Sequence, residues 1–304
     1  IIREPAAAPW PSAPILDNTK KIAYMKQTIT SLFMCIVSIA AIAQQKADIE
    51  VSYTAHHPNM RNGKDDLTNQ YILIANANES KFFSPMTEYI DSLNSTTDGK
   101  AKYQEITRNA YLGGKMDDIP RPDGSYYVVK SRPANKSLYY DNAGLEKYFY
   151  EEPLHEWDWE ISDSTKTILG YECIEATTMF NGRKWTAWFT PEIPLDAGPW
   201  KLEGLPGLIM EATAEGGQYR FETTGLQQTD KPILPVYLAD EYEKTDRISY
   251  LKAKRNFLDN PLGQINAKLG NEGVTIKDEN GNHVHGGSIF APSSIVDLIE
   301  TDYR

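Results

Sequence analysis

Cys173-Ile-Glu-Ala-Thr-Thr-Met-Phe180, then Asn181-Gly182, then Arg183-Lys-Trp-Thr-Ala-Trp-Phe-Thr190 is the stretch that decides the fold. Two runs of β-branched and aromatic residues with a period of two flank an Asn-Gly pair, which accepts the positive φ that a type I′ turn needs at both central positions. A two-residue loop sets the register: Phe180 faces Arg183, Thr178 faces Trp185, Ala176 faces Ala187 and Ile174 faces Phe189. That side of the ribbon is apolar. The other carries Glu175, Thr177, Met179, Lys184, Thr186 and Trp188, a mixed surface.

The same exercise works around Gly216-Gly217. Met210, Ala212, Ala214, Tyr219 and Phe221 fall on one face and Glu211, Thr213, Arg220 and Glu222 on the other, so the sheet has a wet side and a buried side. A third turn, Asn280-Gly281, joins 274–279 to 282–285. Short runs at 49–53, 71–75, 126–130, 145–150 and 157–161, bounded by Gly, Pro, Asn or Asp, read as further strands. Helical period is rarer. Ser84-Pro85 opens a run to residue 93 with Met86, Ile90 and Leu93 in phase, and 245–258 carries Ile248, Leu251 and Leu258. The expected fold is mainly β, a β-rich α+β chain: a single antiparallel meander sheet, able to curve into a half-barrel, with two short helices. No repeat, low-complexity linker or composition break divides 44–304, which reads as one domain.

With 40% hydrophobic residues the chain cannot be disordered throughout, and 31 Lys plus Arg against 42 Asp plus Glu disfavour a phosphate-binding surface. Nucleic acid is not an expected partner. Met25-Lys26 precedes an apolar run, 32–43, that ends in Ala41-Ile42-Ala43. The run is shorter than the ~20 residues of a membrane span and has small residues at a cleavage site, so 25–43 reads as a secretory signal peptide cut after Ala43. Cys35 raises a lipoprotein signal as the competitor, but Leu32-Phe33-Met34 sets bulky side chains where small ones are wanted. Residues 1–24, rich in Ala and Pro and without an initiator Met, read as a non-native upstream extension. The expected location is the periplasm or cell envelope, with no transmembrane segment in the mature chain and only Cys173 left, so without an intramolecular disulfide.

The most distinctive segment runs from Trp185 to Ile209 and ends in Gly204-Leu205-Pro206-Gly207-Leu208-Ile209. Ile168-Leu-Gly-Tyr-Glu-Cys-Ile-Glu-Ala176, the 188–194 block, Gly198-Pro199-Trp200 and Ser80-Lys-Phe-Phe-Ser84 accompany it. With these motifs the chain, over about 49–260, resembles the GLPGLI family of exported Bacteroidetes proteins. That family has no established biochemical activity, so the resemblance implies identity and compartment rather than mechanism. The layout also looks like the open half-barrel of envelope lipoprotein carriers. Physically, Leu205-Pro206-Gly207-Leu208 reads as a type II turn, with Pro presetting φ and Gly supplying the positive φ that follows. The hexapeptide is then a structural corner, against a rival reading in which an exposed 191–206 loop is a docking lip. It is no phosphate loop, because Pro206 lacks an N–H and no Lys-Ser/Thr pair follows Gly207.

Candidate chemistry has bland competitors throughout. His283 and His285 share one strand face and with Asp278 or Glu279 offer metal ligands, but two ligands near a hairpin tip seldom make a site. His56 and His57 point to opposite faces and read as strand-end residues. Cys173 with His155 would be a nucleophile and base, yet no Cys-His signature surrounds either, and a buried small hydrophobe is the better reading. Glu156-Trp157-Asp158-Trp159-Glu160 alternates as a strand with Trp157 and Trp159 buried and its carboxylates wet. Arg247, Lys252, Lys254 and Arg255 give the second helix a basic flank, read as a locally salt-bridged solvated face rather than a membrane contact.

No catalytic residue, cofactor or metal is therefore expected. The leading reading is a non-catalytic envelope module that binds an apolar ligand or an envelope protein partner in a hydrophobic cleft between sheet and helix, with Trp185, Phe189, Tyr219 and Phe221 among the apolar faces to be covered. The alternatives are an envelope enzyme with a site of scattered Cys, His and carboxylates, and a structural partner of an outer-membrane complex.

Overall fold

The computed structural model describes residues 45–60, 63, 66–269, 276–277, 283–284 and 295–304. The upstream extension, the signal peptide with Cys35, the Asn280-Gly281 turn, His285, Asp278 and Glu279 lie outside the described residues. The chain from Gln45 onward forms one compact unit.

Twelve strands make one sheet with β1 (Ile49–Pro58) in the middle. On one side β2 (Asp66–Ala75), β3 (Glu79–Phe83), β4 (Tyr127–Ser131), β5 (Lys136–Ala143) and β6 (Glu146–Glu152) follow in chain order. On the other side the chain starts at the far edge with β7 (Glu160–Ile168) and returns through β8 (Tyr171–Phe180), β9 (Arg183–Thr190) and β10 (Leu208–Ala214) to β11 (Arg220–Gln228). The expected single meander is thus two meanders joined where β1 pairs antiparallel with β11. Periodicity reports which face a residue occupies and says nothing about which distant strand lies alongside. β12 (Glu243–Lys244) adds a short parallel edge to β6, and β13 (Ile276–Lys277) pairs with β14 (His283–Val284) as a separate ribbon.

The linker from β6 to β7 dictates curvature. These strands stand ten spacings apart in the sheet order, about 48 Å if it were flat. Residues 153–159 connect them and reach at most about 29 Å. The sheet therefore curls until its two ends approach, and they do not pair.

Both hairpins written from the sequence form in register, with Phe180 opposite Arg183 through Ile174 opposite Phe189, and Ala212 opposite Phe221. Asn181 and Gly182 take φ of 46° and 84°, as a type I′ turn requires. The 157–161 strand does not form as expected: 156–159 lies outside the ladder, and β7 begins at Glu160. Strands β3 and β5 were not anticipated.

Four α-helices are present among the described residues rather than two. α1 (Pro85–Asn94) is capped by Ser84, whose side chain accepts from the Thr87 N–H, and it buries Thr87, Ile90 and Leu93 while Met86 stays exposed. α2 (Thr97–Leu112) buries only Ala110, so it carries no apolar stripe to recognise. α3 (Arg247–Asp259), capped by Asp246, buries Tyr250, Leu251, Arg255 and Leu258. α4 (Pro261–Leu269) follows directly.

The 191–207 loop is not an exposed lip. It tucks inside the curl: Trp200 packs 5.5 Å from Trp185 and 5.7 Å from Phe180 on one arm, and the Lys201 ammonium lies 4.9 Å from the Tyr150 ring on the other. Lys130 on β4 donates to the Lys201 carbonyl (2.9 Å), and Arg132 pairs with Asp196 and Glu203. The hexapeptide that follows also differs from a type II turn. Gly207 sits at φ 157°, and its N–H donates to the Leu205 carbonyl (2.7 Å), a three-residue turn around Pro206. Glycine is required there by proximity: a Cβ would stand 2.1 Å from the Thr190 carbonyl oxygen. The Gly207 φ is positive but far from the roughly +80° of a type II turn, and Gly204 is also at positive φ, 90°. A bulge between Ile209 and Glu211 then frees carbonyls, which Tyr53 (to Ile209, 2.6 Å) and Thr223 (to Met210, 2.6 Å) satisfy.

Candidate functional site

The cleft expected between sheet and helix is present. A cavity of about 280 Å³ opens where the concave face of β1, β2, β5 and β11 meets α3 and the C-terminal strap, residues 295–304. Tyr71, Tyr126, Tyr139, Tyr219, Phe221 and Tyr250 supply most of its walls, with Ala55, Leu251 and Leu298 between them. Tyr126 lies between Tyr71 (ring centroids 4.7 Å) and Tyr139 (5.7 Å), so three phenols form a stacked row. Gly124 lets that row close up, since a Cβ there would lie 2.3 Å from the Tyr71 hydroxyl.

One buried carboxylate organises the polar side. Asp141, fully buried on β5, accepts from the Ser125 and Tyr250 hydroxyls, the Lys254 ammonium and the Asn142 N–H (2.7 Å). Four donors, one of them a cation, compensate its desolvation. Burial, with the Asp141 charge alongside, drives the Tyr139 and Tyr250 phenols well above their usual range and keeps them protonated. The strap is pinned by Tyr219, donating to the Asp297 carbonyl (2.7 Å), by Arg183, donating to the Leu298 (2.7 Å) and Ile299 (3.0 Å) carbonyls, and by Arg247 and Lys201 on buried Glu300.

This corrects the basic-flank reading. Arg247 and Lys254 turn inward to Glu300 and Asp141; buried Arg255 makes the expected local pair with Asp259 and donates to the Val296 carbonyl, and Lys252 faces water. Of the aromatics expected to need cover, Tyr219 and Phe221 line the cavity while Trp185 and Phe189 are sealed in the core.

The other candidates fall elsewhere. Cys173 is buried, and burial pushes its thiol up to about 11. His155 packs against Phe180 at the far end of the same strand, 4.9 Å between rings, and so about 23 Å along β8 from Cys173. Burial lowers the His155 pKa, and the ring borders a second, polar cleft of about 380 Å³. There Glu152 pairs with Lys201 and Arg247, and Glu203 with Lys130 and Arg132. Trp157 and Trp159 stack on each other (5.4 Å), and Glu156, Asp158 and Glu160 are exposed. His56 and His57 both reach the cavity rim: His56 lies between Asp66 (2.9 Å) and Glu222 (3.1 Å), and His57 meets the Asn69 side-chain oxygen (2.7 Å). His56 thus has a carboxylate at each ring nitrogen, with no Ser or Cys in its contacts among the described residues.

Sequence reading missed Asp141 and Tyr250, and it placed Lys254 on a solvated face. A signal existed: Asp141 interrupts the apolar run Leu138-Tyr139-Tyr140, and Tyr250 and Lys254 are four apart on one helix face.

Residues 141–252 match the family model described as N-glycanase peptide, N-terminal domain, a stretch that contains Asp141, the tucked loop and Tyr250. No curated protein matches. Among solved structures the chain is similar to PNGF-II in a P21 crystal form, at 16% identity and a TM-score of 0.46 over 70% of this chain and 34% of that one. A C2 crystal form gives 15% identity and a TM-score of 0.45 over the same shares. This chain thus spans about a third of the length of those PNGF-II chains. A domain described in terms of outer-membrane lipoprotein sorting, from Vibrio parahaemolyticus, is similar at 6% identity and a TM-score of 0.20, over 60% of this chain and 85% of that one.

Proposed function

We propose that this chain is an exported, non-catalytic binding module of the cell envelope, of the GLPGLI kind, and that the tyrosine-walled cavity is where it binds. The observation that carries the reading is the cavity itself: an apolar concavity between sheet and helix whose polar groups are held by Asp141 and by the strap. Catalysis by an activated nucleophile needs a base within about 3 Å of it. Cys173 is buried with its thiol raised, and its sulfur donates to the Tyr171 carbonyl (3.7 Å), which supports a packing role over a nucleophile's.

Native mass spectrometry of protein isolated from its host envelope tests this. The wild type should carry a small adduct that Ala55→Trp, which fills the cavity, lacks. An adduct-free wild type would remove the carrier reading.

A second reading, docking to an envelope protein, is favoured by one observation. α2 and the turn after it expose Tyr111 (70%), Leu112 (75%) and Met116 (45%) close together in sequence.

A further inference from the structure

From the cavity walls we infer that the ligand is a small, uncharged ring compound with an oxygen acceptor, and that the Tyr126 hydroxyl is its polar anchor. The inference rests on the cavity being the binding site. Size comes first. At about 280 Å³ the cavity is close to twice the ~150 Å³ that suffices for benzene, and lies at the lower edge of drug-sized pockets, so it encloses two fused rings or a chain of about ten carbons but not a full acyl chain. Shape comes second. The stacked row of Tyr71, Tyr126 and Tyr139 presents flat walls, to which a planar ligand conforms better than a flexible one.

Charge narrows the class. Among the described residues Lys254 is compensated by Asp141 and Glu300 by Arg247 and Lys201, while the His56 ring lies among Asp66, Glu222 and Arg220 and His57 meets the Asn69 side chain. A charged ligand would lose its hydration and find no free counter-ion.

Hydrogen bonding then singles out one residue. The Tyr219 proton goes to the Asp297 carbonyl, and those of Tyr250 and Ser125 go to Asp141, which Tyr139 also faces at 3.5 Å. Of the remaining wall phenols Tyr71 is buried, whereas Tyr126 is half-buried at the cavity surface. The Tyr126 O–H is therefore the wall phenol that a ligand can reach. A ligand hydroxyl, carbonyl or ether oxygen would take that proton.

Calorimetric titration at pH 7 with 2-naphthol, naphthalene, 2-naphthoate and hexadecanoate tests this on the full chain. The wild type should bind 2-naphthol about tenfold tighter than naphthalene or 2-naphthoate, the worth of one good hydrogen bond. Tyr126→Phe keeps the ring and the stack, and should erase the preference for 2-naphthol over naphthalene while leaving naphthalene affinity unchanged. Equal affinity for naphthol and naphthalene in the wild type, or a preference that survives Tyr126→Phe, overturns the anchor. Preference for 2-naphthoate or hexadecanoate overturns the ligand class and leaves the cavity as a binding site. Binding of none of the four overturns the inference, while the native adduct decides the cavity reading independently.

Discussion

The two arms of the sheet are built from strands of similar length and differ in what covers them. In the arm from β7 to β11 one face meets water: β7 has no buried residue, and along β9 the buried Trp185, Ala187 and Phe189 alternate with Lys184, Thr186 and Trp188. In the arm from β2 to β6 both faces are covered. Leu73, Ile74 and Ala75 are buried in succession, as are Tyr139, Tyr140 and Asp141. The second cover is a smaller core, with Ile74, Phe83, Tyr127 and Tyr140 under Ile233, Val236 and Tyr242. A sheet face shows its period only where water forces alternation, and an arm wrapped on both sides admits apolar runs and even buried charges if these are paired. Lys81 on β3 is such a case. Burial lowers its pKa, and Glu88 partners the ammonium beside the Phe83 and Tyr127 rings.

Substitutions can break this contrast. The largest losses are expected from Tyr139→Ala, Tyr140→Ala and Trp185→Ala, about 3–5 kcal/mol each by urea unfolding, because each empties a filled core. Tyr139 and Tyr140 are neighbours on opposite faces, so a loss near zero at Tyr140 would show that the outer face of that arm is not a core.

Thiol chemistry probes the wet arm from inside. With its pKa raised to about 11, Cys173 keeps its proton at pH 8.5, where an unfolded thiol is partly ionised. Native protein should be alkylated roughly two orders of magnitude more slowly than urea-unfolded protein, and the gap should close as pH rises toward 11. Equal rates would place Cys173 at the surface.

Gly207→Ala should cost about 2 kcal/mol, because the new methyl meets the Thr190 backbone oxygen, which cannot move freely. Pro206→Ala, at an exposed position, should cost under about 0.5 kcal/mol. If the two are equal, the close approach of the hexapeptide to β9 is not what holds it.

Trp188→Ala should cost only about 1 kcal/mol, against the much larger loss at Trp185, since Trp188 is half-buried beneath the Lys166 ammonium at 4.4 Å. Met179→Ser, 65% exposed on the same wet face, should lie within about 0.5 kcal/mol of wild type. A large effect at either would mean that this face is covered too.

The same contrast explains what could be read in advance. β8, β9, β10 and β11 alternate and were written out residue by residue. β3 (Glu-Ser-Lys-Phe-Phe) and β5 (Lys-Ser-Leu-Tyr-Tyr-Asp-Asn-Ala) carry charges at positions that become buried, and so look like loop. α2 escaped notice for the opposite reason: it buries almost nothing, so no stripe marks it. At the site, Tyr219 and Phe221 were visible because they belong to a legible hairpin. Tyr71, Tyr126, Tyr139 and Tyr250 come from separate segments, and nothing local says that they meet.

By itself the sequence determined the β-rich class, the two tight hairpins with their registers, and the Ser84 cap, all of which depend on turn chemistry and side-chain alternation within a few residues. The tertiary structure alone decided that two meanders share β1 and β11, that a short β6–β7 linker curls the sheet, and that the 191–207 loop lies inside it. It also brought Asp141 to Tyr250 and Lys254 across more than a hundred residues of chain. Those outcomes rest on long-range pairing and on the compensation of buried charge, which are properties of the packed whole.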